Sequence, residues 1–181
     1  MISEELSIRR ATIEDLHPLL LLSRQTFSEA FGAQNTPQNM AAYMNEAFNE
    51  TQLRSELHDP DSQFFLVYAD NGAESQPVGY AKLRSSKMQT DLEGYRAVEI
   101  QRIYVLERMK GKKIGKCLMQ TCLETAREQG YEVVWLGVWE HNPVAIAFYK
   151  KWGFEPFSSY IFHFGDEDQT DLLFRKWLIE Q

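Results

Sequence analysis

Residues 102–119, RIYVLERMKGKKIGKCLM, run an apolar strand pattern into a basic, glycine-punctuated turn and out into a helical pattern. A strand that feeds a tight turn opening a helix gathers unpaired backbone N–H groups in one concavity, with the positive end of the helix dipole behind them. Such a concavity suits an anion, and a phosphate or pyrophosphate above all. Gly111 and Gly115 let the backbone approach a ligand, while Lys110, Lys112, Lys113 and Lys116 add charge around the rim. Taken alone, the turn is also readable as a solvated basic loop ahead of an amphipathic helix. It is not a P-loop, which ends in Lys-Ser or Lys-Thr, and it lacks the glycine spacing of a dinucleotide fingerprint.

The basic cluster needs an explanation because the chain as a whole is acidic, with a formal net charge of -7 over 181 residues. That balance argues against nucleic acid as a partner, since neutralising phosphates takes an excess of Lys and Arg on one face. A content of 44% hydrophobic residues suits one domain spanning 1–181 that buries a full core. Cys117 and Cys122, five apart in one expected helix, point to different faces and do not bridge, which suggests a reducing, cytoplasmic setting. No basic segment precedes an apolar run at the N-terminus, and no apolar stretch reaches about 18 residues, so neither export nor a membrane partner is expected. His17, His58, His141 and His163 are scattered, and no metal site is expected.

Along the chain, LSIRRA reads as a strand, and Thr12 with Asp15 reads as the cap of a helix over about 13–31 that stops before Gly32. Thr36-Pro37 opens a second helix to about Phe48, and Asn49 with Gln52 caps a third ending near His58. The period then changes. QFFLVYAD and PVGYAKLRSS are strands around the turn chemistry of NGAESQ, and RAVEIQRIYV is another beyond a polar loop around 87–95. A helix follows from about Lys112 to Gln129, with Ile114, Cys117, Leu118, Cys122 and Ala126 as its apolar stripe and Gly130 as its stop. YEVVWLGVW is apolar enough for a strand buried on both faces, Asn142-Pro143 opens a short helix ending at Gly153, and PFSSYIFHF and DLLFRKWL flank an acidic turn, GDEDQT. The order is mixed α/β.

Two segments, EIQRIYVLERMKGKKIGKCLM and VVWLGVWEHNPVAIAFYKKWGF, resemble the GCN5-related N-acetyltransferase (GNAT) superfamily. The family's acyl-CoA loop runs Gln or Arg, any, any, Gly, any, Gly or Ala, and aligns with Lys110, Gly111, Lys112, Lys113, Ile114 and Gly115. Two positions depart from it. Lys110 stands where Gln or Arg is usual, and Lys113 stands where the first Gly is usual, which narrows the backbone conformations open there. Downstream, Asn142-Pro143, Ala145, Phe148-Tyr149 and Gly153-Phe154 keep the family spacing.

The resemblance implies a GNAT fold: a mixed central sheet of six to seven strands, splayed between the fourth and fifth, with four to five flanking helices. It implies acetyl-CoA as cosubstrate and no metal. The pantetheine arm would pair with the strand edge at Ile103, Tyr104 and Val105. The pyrophosphate would sit on the N–H groups of residues 111–116, Asn142 would bond the arm, and Lys151 would reach the nucleotide phosphates. Asn142 has a second reading as a plain helix cap, and Lys151 as a solvated helix lysine. A homodimer built on the C-terminal strands is a further implication.

Acyl transfer from a thioester to an amine needs a neutral amine, a donor for the oxyanion and a proton for the leaving thiolate. An alkylamine with a pKa of about 10.4 is neutral in roughly one molecule in a thousand near pH 7, so a base helps. Glu99 is the candidate base. Strict alternation along VEIQRIYV puts it on the face of Gln101 and Ile103, opposite Ile100, Arg102 and Tyr104. Its other reading is an ion pair with Arg102 or a nearby lysine. By resemblance, Tyr149 is the candidate acid beside the sulfur and the Val105 N–H the oxyanion donor.

Residues 26–48 resemble the substrate-side helices of PaiA-type polyamine acetyltransferases, which makes spermidine or spermine the leading acceptor class. Glu29, Glu46, Glu50 and Glu56 would then steer a polycation, and Phe27, Phe31, Tyr43 and Phe48 would line an aliphatic channel or pack the core. Amino-acid, drug-like and protein amines stay open as acceptors, as does a non-catalytic acyl-CoA sensor.

Overall fold

The computed structural model describes residues 6–69, 76–85 and 89–179. In chain order these form β1 (Leu6–Arg10), α1 (Leu16–Phe31), α2 (Pro37–Ala47), α3 (Glu50–His58), β2 (Ser62–Ala69) and β3 (Pro77–Arg84). The chain continues through β4 (Ala97–Val105), α4 (Ile114–Glu128), β5 (Val133–Trp139), α5 (Pro143–Lys151), β6 (Glu155–Phe164) and β7 (Glu167–Trp177). The turn expected at NGAESQ falls almost wholly, and the polar loop after β3 partly, outside the described residues.

Short polar side chains set the helix starts, as their sequence positions predict. Thr36 Oγ1 accepts from the Asn39 N–H at 3.2 Å, Asn49 Oδ1 from Gln52 at 2.8 Å and Asn142 Oδ1 from Ala145 at 3.1 Å. Each cap of this kind is worth about 1 kcal/mol. Thr12 and Asp15 do form a reciprocal box, but it caps a single 3-10 turn at Ile13–Asp15, and α1 begins at Leu16.

All seven strands join one sheet in the order β1-β2-β3-β4-β5-β7-β6, antiparallel except for β4 with β5. The β6–β7 hairpin is longer than expected. Glu167, Asp168 and Gln169 of the presumed acidic turn are strand residues paired with Phe164, His163 and Phe162. On one face α4 buries Ile114, Leu118, Met119, Cys122, Leu123 and Ala126, while Cys117 stays half-buried. The approach is close: a Cβ at Gly79 of β3 would lie 3.0 Å from Ile114 Cγ2. On the other face lie α1 and α3.

The pairing of β3 with β4 skips a residue. Ile100 is opposite Leu83 and Arg102 opposite Lys82, so Gln101 has no partner across the ladder. This bulge re-phases the strand. Glu99, opposite Arg84, therefore shares a face with Arg102 and Tyr104 rather than with Ile103, contrary to strict alternation.

That face carries a buried charge cluster. Glu56 of α3 accepts from Arg102 at 2.6 and 3.1 Å and lies 3.0 Å from Lys82 Nζ. Burial by itself would raise the Glu56 carboxyl, but Arg102 and Lys82 hold it below its ordinary value. Glu56 is thus an internal counter-ion and is not open to a passing polycation; Glu50 pairs with Arg54 instead.

Burial, reinforced by Arg102, lowers Lys82 to about 8 from its ordinary 10.5, although Glu56 opposes the shift. Between those two values the unfolded chain binds more protons at this site than the folded one, so the stability cost present below pH 8 is relieved as pH rises toward 10.5. The urea midpoint of the native protein is expected to rise from about pH 8 to pH 10 relative to that of Lys82→Met. Parallel pH profiles for the two proteins would contradict this assignment.

Candidate active site

β4 and β5 stay together for only three residue pairs, Ala97 with Val133, Val98 with Val134 and Glu99 with Trp135. Beyond Glu99 they part, and among the described residues no strand lies beside the β5-facing edge of β4. Which backbone groups line that edge follows from alternation. The Leu106 N–H is bonded to Val78 O at 3.0 Å on the β3 side, so the N–H of Val105, and with it that of Ile103, points to the open side. Tyr104 turns its main chain toward Tyr80 of β3. Of the three residues expected to meet the pantetheine arm, two present backbone groups to the gap and Tyr104 presents its ring to the opposite helices.

After β4 the chain makes a 3-10 turn at Glu107–Met109, its first N–H held by Glu29 Oε2 of α1 at 2.8 Å. Gly111 follows with φ 82° and Lys113 with φ 65°. Among the described residues Lys113 is the one non-glycine residue with positive φ, at the position where the family usually carries glycine. The first hydrogen bond of α4 runs from the Cys117 N–H to Lys113 O at 3.0 Å, so the N–H groups of Ile114, Gly115 and Lys116 precede the ladder and face out of the helix end. Lys110 is paired with Glu107.

The opposite wall comes from β5 and α5. Asn142 spends its side-chain oxygen on the Ala145 N–H, which leaves the amide NH2 for another partner, so it does cap the helix. Tyr149 is buried, its ring 5.6 Å from Phe148 and 6.1 Å from Phe154. Burial, with the Cys122 thiol beside it, pushes the phenol well above its ordinary value, so it stays protonated across the physiological range.

Glu99 is 6% exposed, and its Oε2 takes both Nε and Nη2 of Arg84, at 2.8 and 2.5 Å. The ion pair foreseen for it is real, but its partner is Arg84 rather than Arg102. Beyond β5, Tyr160 of β6 donates to Asp171 Oδ2 of the neighbouring β7 at 3.2 Å, and burial together with that carboxylate raises the Tyr160 phenol. Between them is Gly137 of β5, where a Cβ would meet the Tyr160 ring at 3.5 Å and Asp171 Oδ2 at 3.6 Å. The rings of Phe27 and Tyr43 stack at 4.7 Å and continue into Phe162 and Phe164.

One cleft of about 1100 Å3 joins these parts. It is lined by Glu99, Ile103, Tyr104, Val105, Lys110, Gly111, Lys113, Ile114, Gly115, Lys116, Asn142 and Tyr149. Lys112 and Lys151, also singled out from the sequence, do not line it, and Lys151 is exposed on the last turn of α5. Of the four glutamates expected to steer a cation, only Glu29 faces the cleft. Arg84, Gly137, Tyr160 and Asp171 were not foreseen. Nothing local marks them, because they enter the site through pairings between strands far apart in sequence.

The sequence profile of the Acetyltransferase (GNAT) family matches residues 24–154. An uncharacterized N-acetyltransferase from the pepI 3′ region of Lactobacillus delbrueckii subsp. lactis is 36% identical over 166 residues, 92% of this chain and 94% of its own. The chain thus belongs to the GNAT family and is an N-acetyltransferase. At greater distance, the spermidine N(1)-acetyltransferase of Thermoplasma acidophilum is 23% identical over 150 residues, 83% of this chain and 88% of its own. The crystal structure of PaiA N-acetyltransferase from that organism, in complex with coenzyme A, superposes with a TM-score of 0.75 at 22% identity, covering 96% of this chain and 99% of the other. The ribosomal-protein-S18-alanine N-acetyltransferase of Escherichia coli superposes at 0.70 and 15% identity, covering 98% and 96%, so the fold by itself does not select an acceptor.

A left-handed conformation costs an ordinary residue roughly 1–2 kcal/mol, part of which glycine returns as extra freedom in the unfolded chain. Lys113→Gly is therefore expected to stabilise the ligand-free protein by about 1 kcal/mol, read as a higher urea midpoint. An unchanged or lower midpoint would show that the turn holds Lys113 without strain.

Proposed function

We propose that the protein transfers the acetyl group of acetyl-CoA to a primary amine by direct attack in a ternary complex, and that the amine is a polyamine such as spermidine or spermine. The observation that carries the first part is the single cleft that joins the unpaired edge of β4, the open N-terminus of α4, Tyr149 and Glu99. Acetyl-CoA fits these groups. The backbone of Ile103 and Val105 would pair with the pantetheine arm, the N–H groups at 111–116 would take the pyrophosphate, and the Asn142 amide would bond the arm. Lys113 and Lys116 add charge at the rim, and Lys112 and Lys151 lie outside the cleft where the nucleotide phosphates would emerge.

In the acceptor half, Glu99 would take the proton of the attacking amine, directly or through water, with Arg84 holding the carboxylate in place. The Val105 N–H would donate to the thioester oxygen as negative charge develops on it. Tyr149, kept protonated by burial, would supply a proton to the departing sulfur. The polyamine reading is supported by the carboxylates of Glu29, Glu99 and Asp171 in a cleft walled by Phe27, Phe31, Tyr43 and Phe162, which suits ammonium groups separated by methylenes. The distant similarity to a spermidine N(1)-acetyltransferase points the same way. Arg84 favours a second reading, since its guanidinium beside Glu99 would equally suit the carboxylate of an amino-acid acceptor. The free thiols of Cys117 and Cys122 agree with a cytoplasmic setting.

Release of free thiol from acetyl-CoA against spermidine, spermine, putrescine, amino acids, aminoglycosides and a lysine-bearing peptide tests both readings. Turnover confined to polyamines supports the first, and turnover confined to amino acids replaces it with the second. Tyr149→Phe is expected to lower kcat by about 100-fold with little change in the Kd of acetyl-CoA. Turnover equal to that of the native enzyme would remove the proton-donor role.

A further inference from the structure

The α1–α2 connection with the first turn of α2 and the β6–β7 hairpin lie more than a hundred residues apart in sequence, yet two side-chain bonds tie them together. Asn35 Oδ1 accepts from Gln169 Nε2 at 2.8 Å, while its own amide donates to Phe31 O at 2.9 Å, so the side chain is fixed from both ends. One helical turn further on, Asn39 Nδ2 donates to the Asp166 carboxylate at 2.6 Å. Asn39 is only 7% exposed, an unusual degree of burial for an asparagine, and its side chain lies over the hairpin turn. Gly165 makes that approach feasible. A Cβ there would stand 2.2 Å from Asn39 Oδ1, and φ is 64°.

Beneath the two bonds Phe27, Met40, Phe48 and Phe164 form a buried cluster separate from the main core. Asn35, Gln169, Phe162 and Phe164 all line the cleft, on the part of it built by α1, α2, β6 and β7. None of these groups belongs to the α4 turn, the β4 edge or α5, where acetyl-CoA is placed. They wall the region beyond Glu99, Tyr160 and Asp171.

We infer that the Asn35–Gln169 and Asn39–Asp166 bonds form a clasp that closes the acceptor end of the cleft and restricts the acceptor to a slender amine. The clasp thereby excludes amines carried on a folded protein surface. The inference rests on the placement of the acceptor proposed above. An amine on a protein arrives with a surface around it, and that surface needs the α2 and hairpin walls to stand apart. Parting them breaks a charge-assisted hydrogen bond, a second hydrogen bond and the ring contacts of Tyr43 with Phe162 and Phe164. A linear polyamine reaches Glu99 without parting them.

The test compares the native enzyme with Asn39→Ala and with Asp166→Ala, the latter an exposed position that folding tolerates more readily. The readout is the ratio of kcat/KM for a small folded protein with exposed lysines to kcat/KM for spermidine. Loss of one charge-assisted bond is expected to raise that ratio about tenfold in either variant, with the Kd of acetyl-CoA unchanged. A ratio unchanged in both folded variants would overturn the clasp, as would a native enzyme that already prefers the folded protein. If the native enzyme acetylates neither amine, the acceptor reading fails separately. The clasp is then judged by hydrogen exchange over residues 35–44 and 160–169, which Asp166→Ala speeds if the clasp holds the two walls together and leaves unchanged if it does not.

Discussion

The separation of β4 from β5 after three residue pairs is the constraint on which the rest of the molecule depends. A central strand with one edge unpaired leaves buried-range N–H and C=O groups without partners, a cost that an ordinary sheet avoids by continuing the ladder. Here the cost is confined to a short length of β4 and offset on every other side. β3 pairs with β4 from Glu99 to Val105 around the bulge, α4 packs against Gly79 through Ile114 and Leu118, and β7 holds β5 through seven residue pairs, from Val133 to Trp139. The open edge is then available to a ligand that completes it, and the N-terminus of α4 and the ring of Tyr149 stand beside it.

The second organising device is the extra residue at Gln101. By shifting the phase of β4 it sends Glu99, Arg102 and Tyr104 to one face and leaves Ile100 and Ile103 toward α4. Two ionic groups with different duties result. Glu56 balances Lys82 and Arg102 in the interior and anchors α3 to the sheet, whereas Arg84 holds Glu99 at the floor of the cleft. Were the alternation strict, Glu99 would lie under α4, away from Arg84, Arg102 and Tyr104. A buried ionic cluster gives little net stability over a well-packed apolar one, and its retention here coincides with the placement of the Glu99 carboxylate in the cleft.

Much of the fold was legible locally. Thr36, Asn49 and Asn142 announced three helix starts because capping is a bond between residues two or three apart. The basic turn announced its own shape for the same reason, and Lys113, which stands where the family usually carries glycine, adopts the left-handed backbone there. The alternation rule failed at Glu99 because a bulge is decided by the partner strand and leaves no signature in β4 itself. The acidic residues after Gly165 read as a turn because their charge suggested solvent, yet hairpin pairing with β6 draws them into a strand whose edge tolerates exposed carboxylates.

The sequence alone determined the order of elements, the basic, glycine-bearing turn ahead of α4 and the family to which the chain belongs, since these rest on contacts among near neighbours. Only the tertiary structure decided which carboxylates face the cleft. Glu56 was taken into the interior by Lys82 and Arg102, while Asp171, Tyr160 and Arg84 were brought to Glu99 by strands that meet across the sheet. The physical reason is range. A cap or a turn is a bond within a few residues, but the charge and shape of an acceptor site are sums over side chains that only folding brings within a few ångströms of one another.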